Sequence, residues 1–274
     1  MASLLIEPGH PLGPIANGPP LLSHPWNAPI AAWAPSDALV CRRLDALPCE
    51  PGALADLVLS HQERDYWMSM RAVDKRRHEW LLGRCAAKEA VSLLLEKPLG
   101  ARLPHAEIEI APDPYGRPRA EGAWSVVLGT QPVISIAHSH GTAVALAALQ
   151  PGQLVGIDLE SLSHRREDFE AIAFSPDERH LLSAMPLDSR QEWALRMWCA
   201  KEALGKALGR GLSAGLLAFH ISSAEASTGI VHLELRAGAL DHFPRLRGQS
   251  LTVYTARESD FVFAAVIYQQ GAAA

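Results

Sequence analysis

Asp158 and Glu160 lie in the apolar run Leu-Val-Gly-Ile-Asp-Leu-Glu at 154–160, and Trp-Cys-Ala-Lys-Glu-Ala-Leu-Gly-Lys follows at 198–206. Alternate residues of a β-strand project from one face, so Asp158 and Glu160 present their carboxylates toward one point with Ile157 and Leu159 behind them. Residues four apart on a helix also share a face, which aims Glu202 and Lys206 the same way. Three carboxylates and a lysine suit a hard divalent cation holding a diphosphate. Mg²⁺ takes oxygen ligands at about 2.0–2.1 Å and usually binds one or two carboxylates together with substrate phosphates. Each half of the pattern also has an ordinary explanation: an acidic pair at a strand end, and a Glu–Lys helix pair worth roughly 0.2–0.5 kcal/mol. Together and in this order they are far more specific.

Such a set needs a strand and a long helix held in fixed relation, and the chain supplies that order twice. The strings Ala87-Lys88-Glu89-Ala90 and Ala200-Lys201-Glu202-Ala203 are identical. Trp80 and Trp193 each precede the lysine by eight residues, and Ile108 and Ile221 each follow it by twenty. Shared offsets of this kind argue for two similar halves packed together, with a ligand site at their junction. Pro151-Gly152 marks the boundary, so the expected division is an irregular Pro/Gly-rich extension over 1–36, a first half over 37–150 and a second over 151–274. In the first half a strand is expected at 38–45, helices at 57–70 and 74–96, and strands at 108–111, 124–128, 133–137 and 142–149. Pro98 and Gly100 close the long helix. In the second, strand 154–160 precedes a helix opened by Ser175-Pro176 as N-cap and N1. A helix from Ser189 to about Leu208 and strands at 217–222, 230–236, 250–255 and 261–268 complete it.

Composition sets the outer limits. The chain has 274 residues, 48% hydrophobic and 20% charged, with a net charge of −5. That is an ordinary globular content with room for one or two cores and no basic field to gather nucleic acid. No apolar run reaches the roughly 18 residues of a membrane span, and the N-terminus lacks the basic region of a signal peptide. Cys41, Cys49, Cys85 and Cys199 form no zinc-ligand spacing. A reduced, cytoplasmic protein is expected.

Gly-Ile-Asp-x-Glu followed some forty residues later by Trp-x-x-Lys-Glu-x-x-x-Lys resembles the 4′-phosphopantetheinyl transferase superfamily, in its two-half rather than its small trimeric type. The resemblance covers roughly residues 38–268. It implies an α+β fold of two halves in pseudo-twofold arrangement, each a long helix on a small, mostly antiparallel sheet, with coenzyme A between them. It further implies Mg²⁺ at Asp158, Glu160 and Glu202, with Lys206 on the phosphates. The implied reaction moves the phosphopantetheine arm of coenzyme A to a serine of an apo acyl or peptidyl carrier protein and releases adenosine 3′,5′-bisphosphate. Glu202 would take the serine proton. Glu178, in Phe-Ser-Pro-Asp-Glu (174–178), resembles a Phe-Ser-x-x-Glu segment of the family and is a second base candidate. Its place in a first helical turn also suits an acidic residue for purely structural reasons.

For the nucleotide end, Arg76 and Arg84 match a family arginine pair and, eight residues apart, are expected on one helix side, with Arg77 facing solvent. Arg117 in Gly-Arg-Pro matches the family's Gly-Lys-Pro, and His138 matches the histidine expected at the 3′-phosphate. Ala137 departs from the usual serine or threonine, a loss for which Ser139 is the candidate to compensate. Lys88 and Glu89, with no Asp-x-Glu strand before them, are expected to be structural. A monomer is expected, acting on neither nucleic acid nor membrane. Two other readings stay open: a metal-dependent phosphohydrolase, and a catalytically silent module that binds coenzyme A or a carrier protein.

Overall fold

The computed structural model describes residues 24–25, 39–71, 73–163 and 168–269. Apart from residues 24–25, the expected extension over 1–36 lies outside the described residues. The first half runs through strands β1 (His24–Pro25) and β2 (Leu39–Leu44) and helices α1 (Pro51–Val58), α2 (His61–Ser69) and α3 (Asp74–Leu99). It continues with β3 (Glu109–Pro112), β4 (Pro118–Glu121), the short helix α4 (Trp124–Leu128), β5 (Val133–Ser139) and β6 (Thr142–Ala148). The second half comprises β7 (Gln153–Ser161), α5 (Phe169–Ala173), α6 (Pro176–Ser183), α7 (Arg190–Leu208), β8 (Phe219–Glu225) and β9 (Ile230–Leu235). It closes with α8 (Ala239–His242), β10 (Leu251–Glu258) and β11 (Phe261–Gln269).

Both sheets are antiparallel, in the orders β1-β2-β6-β5-β4-β3 and β7-β11-β10-β9-β8. The fold is α+β, with two similar halves of one long helix on one sheet. Strand alternation sorts side chains into three cores. Leu44 joins Leu81, Val91 and Ile108 beneath α3, and Met197, Leu204, Val231 and Val253 fill the space beneath α7. The third core lies between the sheets, where Cys41, Ala137, Val144 and Leu146 of the first half meet Val155, Ile157, Leu159 and Phe263 of the second. Each such buried aliphatic side chain is worth roughly 1.5–3 kcal/mol, so this contact holds the halves together. It also decides the site: with Val155, Ile157 and Leu159 turned to the other half, Gly156, Asp158 and Glu160 are left to face α7.

The short helices α5 and α8 were not expected, and three elements of the first half differ from the sequence expectation in ways that have a physical reason. The helix expected over 57–70 is two helices, because Ser60 caps α2 through a capping box with Glu63 and interrupts the path after α1. Residues 124–128, apolar enough for a strand, form a short helix closed by Gly129 at φ 64°. Trp124 is buried and donates from Nε1 to Glu107 O, and Val126 and Val127 are left exposed. Strand β4, with only Ala120 turned inward, is too polar to signal itself. The ends of α3 follow expectation: Pro98 stands in its last turn and Gly100 terminates it at φ 71°.

Candidate active site

Lys201 sets the rotation of α7. It is fully buried, and its Nζ donates to Ala173 O at 3.0 Å, to Leu216 O at 3.3 Å and to Glu178 Oε2 at 2.9 Å. The other Glu178 oxygen accepts the Ile221 amide at 2.8 Å, and Glu178 closes a capping box with Ser175. With Lys201 pointing away from β7, the next residue, turned by about 100°, brings Glu202 to the strand. Gly156 allows the close approach, since a Cβ there would stand 1.9 Å from Ala203 O.

Glu202, Asp158, Glu160 and Lys206 therefore share one space. Lys206 Nζ donates to Asp158 Oδ1 at 2.7 Å. Burial opposes the Lys206 charge, but Asp158 and then Glu202 hold the ammonium above its ordinary value. Burial raises the Glu202 carboxyl, and Asp158 and Glu160 raise it further against the pull of Lys206. Asp158 Oδ2 is buried without a hydrogen-bond partner. Among the described residues no three His, Cys, Asp or Glu side chains close into a ligand cluster. The chemistry of the set nonetheless fits a divalent cation: an orphaned carboxylate oxygen, a carboxyl whose charge is penalised by two neighbours, and hard oxygen donors throughout.

Glu178 is not part of this group. It is fully buried, and both of its oxygens are committed to Lys201 and the Ile221 amide, so the structure leaves it no path to a substrate. Ser139 Oγ donates to Glu160 Oε2 at 3.1 Å, so it serves the carboxylates rather than the 3′-phosphate position for which it was a candidate.

His138 is half-exposed beside this group, its Nδ1 3.8 Å from Glu79 Oε2. Burial lowers the imidazole below its ordinary value against the pull of Glu79, with Lys206, Asp158 and Arg76 also within electrostatic reach. Arg76 is exposed on α3 and shares a four-residue row with Trp80 and Arg84. The Arg84 guanidinium lies 4.5 Å over the Trp80 ring, and its Nε is 3.9 Å from Glu63 Oε1. Arg77, expected in solvent, is half-buried over Trp67 at 4.5 Å, because Trp67 also donates to the Arg77 carbonyl.

Arg117 joins the halves. Its Nη2 donates to Ala207 O at 2.9 Å in the last turn of α7, while Asp113 Oδ1 accepts the Tyr115 and Arg117 amides and shapes the turn. Next to it, Arg210 stacks 4.5 Å over Tyr115. A cavity of about 490 Å³ is lined by Asp45, Lys75, His78, Glu79, Leu82 and Gly141. Its Asp45 and Glu79 offset Lys75 and His78, so it lacks the cationic character of a phosphate site. Sequence reading missed Glu79 and Tyr115 as neighbours of His138 and Arg210. Only for Glu79 was there a signal, its three-residue spacing from Arg76. No helix among the described residues is long and apolar enough to cross a membrane.

Residues 154–263 match the family model described as the 4′-phosphopantetheinyl transferase superfamily. Over 78 residues, 27% of this chain and 32% of the relative, the chain is 38% identical to the 4′-phosphopantetheinyl transferase HetI of Nostoc sp.. Over 82 residues, 30% of this chain, it is 32% identical to the holo-[acyl-carrier-protein] synthase of Bacillus subtilis, of which it spans 66%. The matches thus span less than two thirds of either relative's length. Among solved structures, the holo-[acyl-carrier-protein] synthase of Neisseria meningitidis aligns at TM-score 0.36 and 19% identity, covering 43% of this chain and 98% of that one. The Helicobacter pylori enzyme in complex with coenzyme A aligns at TM-score 0.34 and 22% identity, covering 42% and 100%. The matched residues begin on the strand that carries Asp158 and end on the strand paired with it, so it is the second half, with its acidic strand and long helix, that is similar to the 4′-phosphopantetheinyl transferase superfamily.

Proposed function

We propose that this protein transfers the 4′-phosphopantetheine arm of coenzyme A to a serine hydroxyl of an apo acyl or peptidyl carrier protein, with adenosine 3′,5′-bisphosphate as the leaving product. The observation that carries this reading is the meeting of Asp158, Glu160, Glu202 and Lys206 within the stretch that matches the family.

Asp158, Glu160 and Glu202 would hold Mg²⁺. Once bound, such an ion neutralises diphosphate oxygens and stabilises charge on the departing phosphate. The residues of the chain supply the rest. Lys206, released from Asp158 when substrate arrives, offsets negative charge on the leaving bisphosphate. Glu202 accepts the serine proton directly or through water as the serine Oγ attacks the pantetheine-side phosphorus. The bond that forms is serine Oγ to phosphorus, and the bond that breaks is the phosphoanhydride. Arg76 and His138 would meet the 3′-phosphate and Arg84, at the end of the same row, the nucleotide face, with fork-like guanidinium contacts. Arg117 would act at the junction, holding the end of α7 through Ala207 while its charge faces the phosphates.

The reading favours the two-half type acting as a monomer in the cytoplasm, with neither nucleic acid nor membrane as partner. Its test is mass spectrometry of several apo carrier proteins incubated with this protein, coenzyme A and Mg²⁺. The expected result is gain of one phosphopantetheine mass on the carrier serine, dependent on the metal. Coenzyme A cleavage with no mass on any carrier would instead indicate a phosphohydrolase. Binding with no chemistry at all would indicate a silent module.

A further inference from the structure

We propose that Ser139 and His140, at the tip of a first-half hairpin, position the Glu160 carboxylate of the second half. The inference rests on reading Glu160 as a metal ligand.

Strand β5 lines up two serines against β7. Ser135 Oγ accepts the Ile157 amide at 3.0 Å, and four residues on, Ser139 Oγ donates to Glu160 Oε2 at 3.1 Å. Ser139 is only 8% exposed, so little water competes for that bond. A serine hydroxyl has one hydrogen. With it given to Glu160, Ser139 Oγ must act as acceptor toward His140 Nδ1, which lies 3.0 Å away. The relay therefore runs from His140 Nδ1–H through Ser139 O–H to the carboxylate, and it selects the tautomer that carries hydrogen on Nδ1.

The backbone supports this as a built feature. Ser139 pairs with Thr142, so His140 and Gly141 are the two central residues of the β5–β6 turn, at φ 48° and φ 80°. Positive φ at both positions is the type I′ pattern, for which Asn-Gly, Asp-Gly or Gly-Gly are the favoured pairs. Histidine is not among them, and its left-handed backbone carries a steric cost. In that conformation the imidazole lies within hydrogen-bond distance of Ser139. A glutamate carboxylate, placed by three rotatable side-chain bonds, needs such a tether, since outer partners of metal ligands typically change metal affinity by about 10–100-fold. The halves thus share the site through a hydrogen-bond chain as well as through their apolar contact.

The experiment is Mn²⁺ binding, followed by electron paramagnetic resonance in the presence of coenzyme A, beside thermal melts of each variant without metal. Ser139→Ala is expected to weaken Mn²⁺ binding about tenfold, with coenzyme A affinity in the absence of metal unchanged. Ser139→Thr, which restores the hydroxyl, should recover most of that loss. His140→Gly relieves the turn and should hold or raise the Tm while weakening Mn²⁺, an opposite movement that a merely structural residue would not give. If Glu160→Ala binds Mn²⁺ as the unaltered protein does, Glu160 is no ligand and the inference falls with that reading. If Glu160→Ala loses Mn²⁺ while Ser139→Ala and His140→Gly keep it, the positioning role alone is wrong.

Discussion

The two halves hold a glutamate at the same place on the same scaffold and surround it with opposite charge. Register makes the comparison residue by residue. The turn pair Ser139–Thr142 corresponds to Glu258–Phe261, so Arg42 and Leu44 on β2 stand where Asp158 and Glu160 stand on β7. Glu89 is buried beside two arginines and a histidine: Arg102 at 2.5 Å, His105 Nε2 at 2.7 Å and Arg42 at 3.9 Å. Glu202 faces two carboxylates and Lys206. One glutamate is satisfied and closed, the other half-exposed and short of positive charge. What the halves share is the frame. Lys88 donates to Val58 O, His105 O and Glu63, and Glu63 accepts the Ile110 amide and closes a capping box with Ser60, just as Lys201, Glu178, Ile221 and Ser175 do. A site arises from this frame by leaving it electrically incomplete.

The largest effect should come from removing the two glutamates in turn. Glu202→Ala is expected to cut turnover by at least about a hundredfold with the Tm unchanged or higher, because a carboxyl penalised by its neighbours is lost. Glu89→Ala should lower stability by about 3–5 kcal/mol, the cost of stranding buried cations, with turnover per folded molecule kept. Turnover at a range of Mg²⁺ concentrations and a denaturant melt on both variants decide it. Equal behaviour would break the comparison.

The next contrast keeps the frame and asks which half needs it for chemistry. Lys88→Met and Lys201→Met each remove the buried lysine partner of a buried glutamate and should each cost about 3–5 kcal/mol. Only Lys201→Met should also lower turnover of the folded fraction, since it alone sets the rotation that aims Glu202. Matching activity losses at low temperature would show that the two frames are not separable.

A smaller effect concerns the first half's role in substrate binding. His138→Ala and Arg76→Ala should each weaken coenzyme A by about 1.5–3 kcal/mol, the worth of a hydrogen bond to a charged group, and 3′-dephospho-coenzyme A much less. Burial holds the free His138 imidazole below its ordinary value and a phosphate would favour its charged form, so binding should take up protons. The preference for coenzyme A over the dephospho form should therefore grow as pH falls through the ordinary histidine range. Calorimetry in buffers of different ionisation heat would detect the uptake, and proton release would reverse the assignment.

The smallest effect belongs to the rim. Arg210, stacked on Tyr115 where the halves meet, would face an acidic carrier helix. Arg210→Glu should raise the carrier KM modestly, by the roughly 0.2–1 kcal/mol of an exposed charge pair. It should flatten the salt dependence and leave the coenzyme A KM unchanged. A carrier KM that is insensitive to the substitution across a salt series would put docking elsewhere.

Much of this was legible in the sequence for local reasons. Strand alternation put Asp158 and Glu160 on one face, helical spacing put Glu202 and Lys206 on another, and the repeated Ala-Lys-Glu-Ala revealed two halves. The same reading erred where the signal depended on partners. The repeat equates Ile108 with Ile221 by spacing, yet Ile110 is the residue whose amide mirrors that of Ile221, because α3 runs on past Lys88 further than α7 does past Lys201 and the shorter connection after α3 recovers only part of the difference. Glu178 resembled a base, and its twin Ser60-x-x-Glu63 went unnoticed although both are capping boxes.

The sequence by itself determined which faces carry acid, which helix carries the lysine, and that the pattern occurs in two copies, since those follow from periodicities of two and 3.6 residues. The sequence also separates the copies, because no Asp-x-Glu strand precedes Glu89, and the tertiary structure alone decided what surrounds each glutamate. Those surroundings are polar groups brought from elsewhere in the chain: Arg42, Arg102 and His105 around Glu89, and Asp158, Glu160 and Lys206 around Glu202. The energy of a buried carboxylate depends on those neighbours over a few ångströms, a distance that no spacing along the chain encodes.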